Sequence, residues 1–169
     1  IEENVAKLMS SVKTLKSDLE NRQSYSAKEL VDKIIANGFT TEKELTSFQI
    51  KNLLNHVTLN GPADFSVPGA GKTCTALAYF CFNRDVSKKL LVISPINAFT
   101  SWSDEIANFI NDSEKLIRLR GSTPDILKRL DSQKNFFIIN YDLLRQRPDV
   151  LHAIKLKLAS DPFKSIKNV

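Results

Sequence analysis

Apolar and polar positions follow a helical period over the first part of the chain. The apolar residues recur at intervals of three and four, as Val5, Leu8, Met9, Val12, Leu15 and Leu19. This spacing predicts an amphipathic helix. Two further helices are predicted by capping-box pairs, Ser26 with Glu29 and Thr41 with Glu44, and Gly38 stands where the first of them would end. We expect a helical bundle packed on the rest of the chain, with a coiled-coil or partner-binding arm as the alternative.

A different pattern begins after the Asn-Gly-Pro sequence at residues 60–62. Short apolar runs, which predict strands, now alternate with helical patterns. The runs LLVIS and FFIIN are apolar on both faces, which is typical of central parallel strands covered by helices. The alternation predicts an α/β fold with a doubly wound parallel sheet. The predicted strands are residues 63–67, 90–94, 116–119 and 136–140, and the predicted helices are residues 73–82, 103–109, 124–130 and 150–158.

Composition narrows the class of protein without choosing a function. The chain has 169 residues, of which 42% are hydrophobic and 25% are charged, which suits one domain with or without a small helical attachment. No apolar run approaches the ~18 residues that span a bilayer, so we expect no membrane partner. Two cysteines do not make a disulfide framework, so we expect a reducing, intracellular setting (cytoplasm or nucleoid). Cys74 and Cys81 share one helix face and are expected to be buried hydrophobes. A net charge of +5 permits a nucleic-acid partner without requiring one.

Residues 66–73, with the sequence SVPGAGKT, match a Walker A loop in both residue types and context. We call them the glycine-rich loop. Glycines allow successive backbone N–H groups to point at phosphate oxygens, and the following helix N-terminus favours an anion. Lys72 is placed to reach the outer phosphates and Thr73 to bind Mg²⁺, and these two are the predicted catalytic residues. Ser66 replaces the first glycine of the common pattern. The predicted nucleotide-binding residues here are Pro68, Gly69, Ala70, Gly71, Lys72, Thr73 and Cys74.

Four further segments, together with the loop, carry a resemblance to a known family. They are LTSFQIKNLL from residue 45, LLVISPINAFTSWSDEIANF from residue 90, IRLRGST from residue 117 and NFFIINYDLLR from residue 135. In this order they resemble the first motor lobe of superfamily 2 helicases, most closely the Swi/Snf-type translocases of double-stranded DNA. The resemblance implies a RecA-like fold that binds ATP and Mg²⁺, double-stranded DNA as partner, and a second motor lobe.

The resemblance also assigns roles to individual residues. It implies that Gln49 reads adenine and that the nucleic-acid backbone is contacted by two sets of residues. The first set is Ser94, Pro95 and Trp102, and the second is Asn140, Tyr141 and Leu144, with Asn140 in place of the usual threonine. Each has a simpler interpretation: Gln49 as a solvated side chain, Trp102 packed between helix and sheet, and Tyr141 covering the sheet with its ring. Ser101 and Asp104 are first of all a capping pair.

The carboxylate pair that a helicase-type ATPase needs is missing from the expected place. Asp104-Glu105 falls in a predicted helix, and the chain ends at Val169 before the strand that would carry the pair. Because the chain also starts at Ile1, we expect a piece of a larger ATP-driven helicase or translocase. Residues 1–44 would form a helical region and residues 45–169 part of the first RecA-like lobe. The isolated chain is expected to be inactive as an ATPase.

Two other functions are compatible with the same residues. A small-molecule or nucleoside kinase would also combine a glycine-rich loop with an α/β fold. The chain could also act as a non-catalytic module that binds nucleotide or DNA.

Overall fold

The computed structural model describes residues 5, 9, 10, 12, 24–59, 61–84, 89–111 and 115–159. Most of the first predicted helix lies outside these residues, and the four described within it are helical. The elements are α1 (Ala27–Ala36), α2 (Ser47–His56), α3 (Lys72–Phe82), β1 (Leu90–Ser94), a 3₁₀ turn (Ile96–Ala98), α4 (Phe99–Phe109), β2 (Ile117–Arg118), α5 (Thr123–Leu130), β3 (Phe136–Asn140), α6 (Tyr141–Gln146) and α7 (Pro148–Ala159). Within the described residues, no helix combines the length and apolar character that crossing a membrane requires.

The described strands form one parallel sheet in the order β1-β3-β2. Parallel neighbours need crossover connections, and α5 lies in the chain between β2 and β3. The α/β class and the parallel sheet that the sequence predicts are therefore confirmed. Strands β1 and β3 have the predicted bounds, whereas β2 is shorter than predicted.

Helices cover both faces of the sheet. Successive strand residues point to opposite faces, and the core divides accordingly: Phe136 and Ile138 pack with α1–α4, whereas Phe137 and Ile139 pack with α5–α7. Fully burying such a side chain stabilises the fold by about 1.5–3 kcal/mol. The one departure in β1 is Ile93, which is 46% exposed. The sheet therefore lies between two apolar layers, and this packing fixes the positions of its strand ends.

The segment 63–67 is not a strand, contrary to the prediction. The Asp64 carboxylate accepts a hydrogen bond of 2.8 Å from the Ser66 backbone N–H, and such a local bond competes with strand pairing. Among the described residues no strand pairs with this segment, and Phe65 and Val67 are 93% and 70% exposed. An apolar alternation alone does not make a strand where no neighbouring strand completes its hydrogen bonds.

Two predicted helix starts are also wrong. Helix α2 begins after Thr46, not Thr41, because the Thr46 side chain accepts from the Gln49 N–H and Gln49 accepts from the Thr46 N–H. Helix α4 begins at Phe99, directly after the 3₁₀ turn, so Ser101 and Asp104 lie inside it and do not cap it. The box of Ser26 and Glu29 is present at the start of α1, as predicted.

The C-terminal ends of α1 and α3 are joined by hydrogen bonds. The Asn37 side-chain amide donates to the Cys81 carbonyl at 2.9 Å, and the Arg84 guanidinium donates to the Asn37 carbonyl at 3.1 Å. Further on, the Thr40 N–H donates to the Phe109 carbonyl at 2.8 Å. These bonds and the shared apolar core fasten α1 to the helices that follow the glycine-rich loop.

Candidate functional site

The glycine-rich loop leads into α3 through two glycines in the left-handed region. Gly69 has φ +83° and Gly71 has φ +80°, a conformation that costs other residues about 1–2 kcal/mol. Gly71 is the N-cap of α3, and no side chain among the described residues caps this helix. The first amides of a helix have no acceptor within it and carry a partial positive charge. We call this the open N-terminus of α3; its geometry suits an anion.

Lys72 folds back over the loop in this structure. Its exposed ammonium group donates to the Val67 carbonyl at 3.2 Å and to the Ser66 carbonyl. These are hydrogen bonds to neutral acceptors at the protein surface, where water competes for the same donor. The ammonium group is therefore free to exchange the carbonyls for a more strongly charged acceptor such as phosphate.

Gln49 lies against the loop. A Cβ atom built on Gly71 would come within 2.3 Å of the Gln49 Nε2 atom, so the side-chain amide occupies the space that any larger residue at position 71 would need. The Gln49 Oε1 atom points away from the loop and accepts from the Thr46 N–H at 2.9 Å and from the Thr46 hydroxyl at 3.1 Å. The structure thus brings the upstream glutamine and the glycine-rich loop together.

Helix α3, which begins at Lys72, is buried over most of its length. Thr73 is half-buried and Cys74 is buried. Burial raises the pKa of the Cys74 thiol to about 11, and the nearby Glu105 adds to the rise while Lys43 opposes it. The thiol is protonated at neutral pH, so it packs as a small hydrophobe. Cys81 is buried as well, and the prediction for both cysteines is confirmed.

A cavity of about 230 Å³ opens beside the loop, and sequence reasoning missed the carboxylate in its wall. Burial raises the pKa of Asp64, but hydrogen bonds from Ser66 and the charges of His56 and Lys72 outweigh burial, so the pKa is lowered overall. The ionised Asp64 carboxylate, which accepts from the Ser66 N–H, fixes the backbone where the chain enters the glycine-rich loop. Its position in a segment predicted as a strand hid this role. The lining residues are His56, Pro62, Ala63, Asp64, Lys72, Thr75, Ala76 and Tyr79.

The carboxyl ends of β1 and β3 bring two predicted residues together. Ser94 and Asn140 are partners in the parallel register. The Ser94 hydroxyl is buried and donates to the Pro95 carbonyl at 3.3 Å, while Pro95 itself is exposed. The Asn140 Oδ1 atom accepts from the Asp142 N–H at 3.0 Å and so caps α6. Tyr141 is 48% exposed, so about half of the side chain is accessible at this edge of the sheet.

Trp102 belongs to the core packing. It is half-buried on α4 and packs against the apolar cluster between α1–α4 and the sheet. This agrees with the structural interpretation of the tryptophan. Leu144 is buried in the opposite cluster.

Arg147 is a second feature that sequence reasoning missed. Its guanidinium donates to the Gly121 carbonyl at 2.9 Å, to the Thr123 hydroxyl at 2.8 Å and to the Asp149 carboxylate at 3.0 Å. These partners lie in the loop after β2 and at the starts of α5 and α7. These hydrogen bonds fix the loop after β2 beside the other strand ends. No local sequence pattern predicts the network.

The described ranges contain no group of three or more His, Cys, Asp or Glu residues that could hold a metal ion. Asp104 and Glu105 lie in α4, as predicted, and the Glu105 Oε2 atom is buried with no hydrogen-bond partner in the described part of the chain. No protein-family model matches this sequence, and no curated protein matches it significantly.

Proposed function

We propose that this chain is the ATP-binding part of a helicase-like, DNA-dependent ATPase. The observation that carries the proposal is the open N-terminus of α3, preceded by two glycines with positive φ and followed at once by Lys72. Helix N-termini with free amides are ready-made phosphate sites. A loop that served only as a turn would gain stability from a capping side chain, which this one lacks among the described residues.

The residues present fit a nucleoside triphosphate. Gly69 and Gly71 carry no side chain and have positive φ values, which suits a loop whose backbone must approach a ligand closely. In the proposed complex the amides of Lys72, Thr73 and Cys74 donate to phosphate oxygens, and the Lys72 ammonium exchanges the carbonyls of the loop for phosphate. The Thr73 hydroxyl is the proposed Mg²⁺ ligand. ATP supplies the transferable phosphate and Mg²⁺ the charge that neutralises it.

The finer fold assignment is part of the same proposal. The strand order β1-β3-β2, with helices on both faces of a parallel sheet, is compatible with a RecA-like lobe. In open α/β sheets, ligands bind outside the carboxyl ends of the strands. Ser94 and Asn140 are adjacent at that edge, and Pro95 and Tyr141 are exposed beside them. This arrangement supports a DNA-backbone contact there.

Hydrolysis is assigned to the complete motor, with its second lobe. The pair Asp104-Glu105 lies within α4, and Glu105 faces Cys74 closely enough to raise the pKa of its thiol. We therefore expect the isolated chain to bind ATP without turning it over. Mg²⁺-dependent turnover by these residues alone, abolished by Lys72→Ala, would contradict this division.

The test is a titration of the purified chain with a fluorescent, ribose-labelled ATP. Lys72→Ala should weaken binding by roughly 10- to 100-fold, because hydrogen bonds to charged groups contribute about 1.5–3 kcal/mol. Lys28→Ala is the matched control: it removes one positive charge from an exposed position on α1 and should leave binding unchanged. Equal affinity of the wild type and Lys72→Ala for the labelled ATP would contradict the proposal.

The DNA contact is tested separately. Affinity for a short DNA duplex should fall with rising salt in proportion to the number of phosphates contacted. Asn140→Ala should weaken duplex binding without changing ATP affinity. A duplex affinity independent of salt would contradict a backbone contact.

A further inference from the structure

The apolar residues at the start of the chain repeat with the spacing of a coiled coil. They follow one another at alternating intervals of four and three from residue 1 to residue 19, which is the heptad pattern of helices that pair along one seam. The a positions are Val5, Val12 and Leu19, and the d positions are Ile1, Leu8 and Leu15. We call these residues the N-terminal seam.

The described part of this segment presents the seam to solvent. Val5, Met9, Ser10 and Val12 are helical. Val5 and Val12 are 50% and 51% exposed, and Met9, which flanks the seam at an e position, is 63% exposed. None of these three apolar residues belongs to the clusters on the two faces of the sheet. An amphipathic helix gains most of its stability by packing its apolar face, and the described residues supply no such packing here.

The spacing of the seam restricts the kind of partner that fits it. Its side chains insert between side chains that repeat with the same period on a facing helix. The described helices of this chain are too short to face it along its whole length, since α7, the longest of those helices, has 12 residues. A second copy of the chain presents the same repeat over the same length.

The residues that flank the seam are compatible with self-association. If the two helices are parallel, the sequence places Ser11 opposite Lys16 and Asp18 opposite Gln23 of the partner subunit, so no like charges meet. If they are antiparallel, Glu2 falls opposite Lys16 of the partner subunit, an attractive pair that symmetry repeats. Charges at these flanking positions decide partner choice in coiled coils. We therefore propose that the N-terminal seam is a dimerisation surface whose partner is the same seam of a second copy of this chain.

Sedimentation equilibrium of the whole chain tests the proposal. Across concentrations from about 5 µM to about 500 µM, the range of weak complexes, the mass should rise from the 19.0 kDa of one chain toward twice that value. Val12→Asp places a carboxylate in the seam and should weaken the dimer roughly tenfold or more. Ser10→Asp is the matched control, because it adds the same charge at an exposed f position, opposite the seam. It should leave association unchanged.

A Val5→Ile, Val12→Ile double variant supplies the second arm. The added methylene groups become buried in the seam, so the dimer should tighten by roughly ten- to hundredfold, a result that loss of helical structure cannot produce. A chain that stays monomeric throughout the series would overturn the inference, as would equal association of Val12→Asp and Ser10→Asp. If the chain is monomeric and Val12→Asp lowers its stability in urea, the seam packs on its own chain and the inference is wrong. None of these outcomes depends on nucleotide binding.

Discussion

The N-termini of α2 and α3 lie against each other and are built in opposite ways. Helix α2 is closed by its own side chains, since Thr46 and Gln49 satisfy each other's backbone amides. The N-cap of helix α3 is Gly71, which has no side chain, and no other side chain of the described residues caps this helix. The same Gln49 amide closes the first helix and touches the start of the second.

The other helix starts show that closure is the usual solution in this fold. Ser26 caps α1 and Ser122 caps α5, each within a capping box. Helix α4 has no side-chain cap in the described structure, but its first amide donates within the preceding 3₁₀ turn, from Phe99 to Ile96. Helix α3 differs because its N-cap is a glycine and no side chain of the described residues bonds to its first amides.

An open N-terminus is tolerable because α3 is stabilised in another way. A glycine N-cap costs only a few tenths of a kcal/mol relative to Ser or Asp, and almost every residue of α3 from Cys74 to Phe82 is buried. Hydrophobic burial fixes the helix, so its stability does not depend on a side-chain cap at the first turn. The capped helices α1 and α5 bury only two residues each, and their caps contribute relatively more.

Gly71→Ala should have the largest effect, because it attacks the contact between the two helix starts. The new Cβ atom would lie 2.3 Å from Gln49 Nε2 at φ +80°. The flexible Gln49 side chain can move aside only by leaving the capping box of α2, so we expect a loss of about 1–2 kcal/mol from strain and about 1 kcal/mol from the cap. Nucleotide binding should be lost. Gly69→Ala is the matched control: it has φ +83° but open space around the Cβ atom, so strain alone should cost about 1–2 kcal/mol.

Urea unfolding of both variants measures the difference. In a Gln49→Ala background, Gly71→Ala should cost only about 1–2 kcal/mol, because the clash is gone and the strain is not. Equal losses for the two single variants would show that Gln49 does not close the space over Gly71.

Strands β1 and β3 were predictable because the local sequence alone indicates them. The runs LLVIS and FFIIN are mostly apolar and contain β-branched or aromatic residues, and both strands have the predicted bounds. Residues 63–67 have a similar alternation but depend on a neighbour, and the Asp64–Ser66 hydrogen bond takes over where none of the described strands pairs with them. Strand identity here is a tertiary property, which a local pattern cannot report.

The start of α2 was mispredicted because two capping patterns follow each other within a few residues. The pair Thr41/Glu44 has the commoner acidic residue, but the Thr40 hydroxyl accepts from the Glu42 N–H at 3.1 Å and holds that segment in a turn. The later pair, Thr46 and Gln49, stands directly before the turn that buries Leu53. The choice between them depends on packing.

The candidate site shows the same division. The glycine-rich loop was located by residue types alone, since Gly, Lys and Thr report on backbone conformation and charge. The approach of Gln49 to Gly71 was expected only through the resemblance, and the network of Arg147 was not expected at all. Arg147 contacts Gly121 and Thr123, which are distant in sequence, and such pairs become visible only in the fold.

Thr46→Ala should separate the two functions of the α2 start. Loss of the cap should cost about 1 kcal/mol, and ATP affinity should fall by roughly two- to tenfold because Gln49 Oε1 keeps only the backbone N–H of residue 46 as a donor and the amide is held less firmly. Ser122→Ala is the matched control, since it removes the equivalent cap of α5 far along the chain. It should lower stability by a similar amount, measured by urea unfolding, and leave ATP affinity unchanged. Equal ATP affinity for both variants would show that Gln49 does not contribute to ATP binding.

The smallest expected effect is a difference in pH dependence between the caps of α2 and α5. Hydrogen bonds from the Ser122 side chain and backbone, with the charges of Arg129 and Lys128, lower the pKa of Asp125 despite slight desolvation. A lowered pKa means that this cap contributes fully above the pKa of the unfolded chain, about 3.9, and loses its contribution as pH falls through the lower folded value. The α2 cap uses the uncharged Gln49 and does not titrate.

The measurement is the stability penalty of each cap variant by urea unfolding at pH 6 and pH 3. The penalty of Ser122→Ala should shrink at pH 3, whereas that of Thr46→Ala should stay the same. In an Asp125→Asn background, which keeps an acceptor but removes the charge, the penalty of Ser122→Ala should also become independent of pH. If both penalties shrink together, acid acts on the fold as a whole. A difference confined to α5 would show that the α2 cap, which is built on an uncharged residue, keeps its contribution across the range in which the Asp125 carboxylate is protonated.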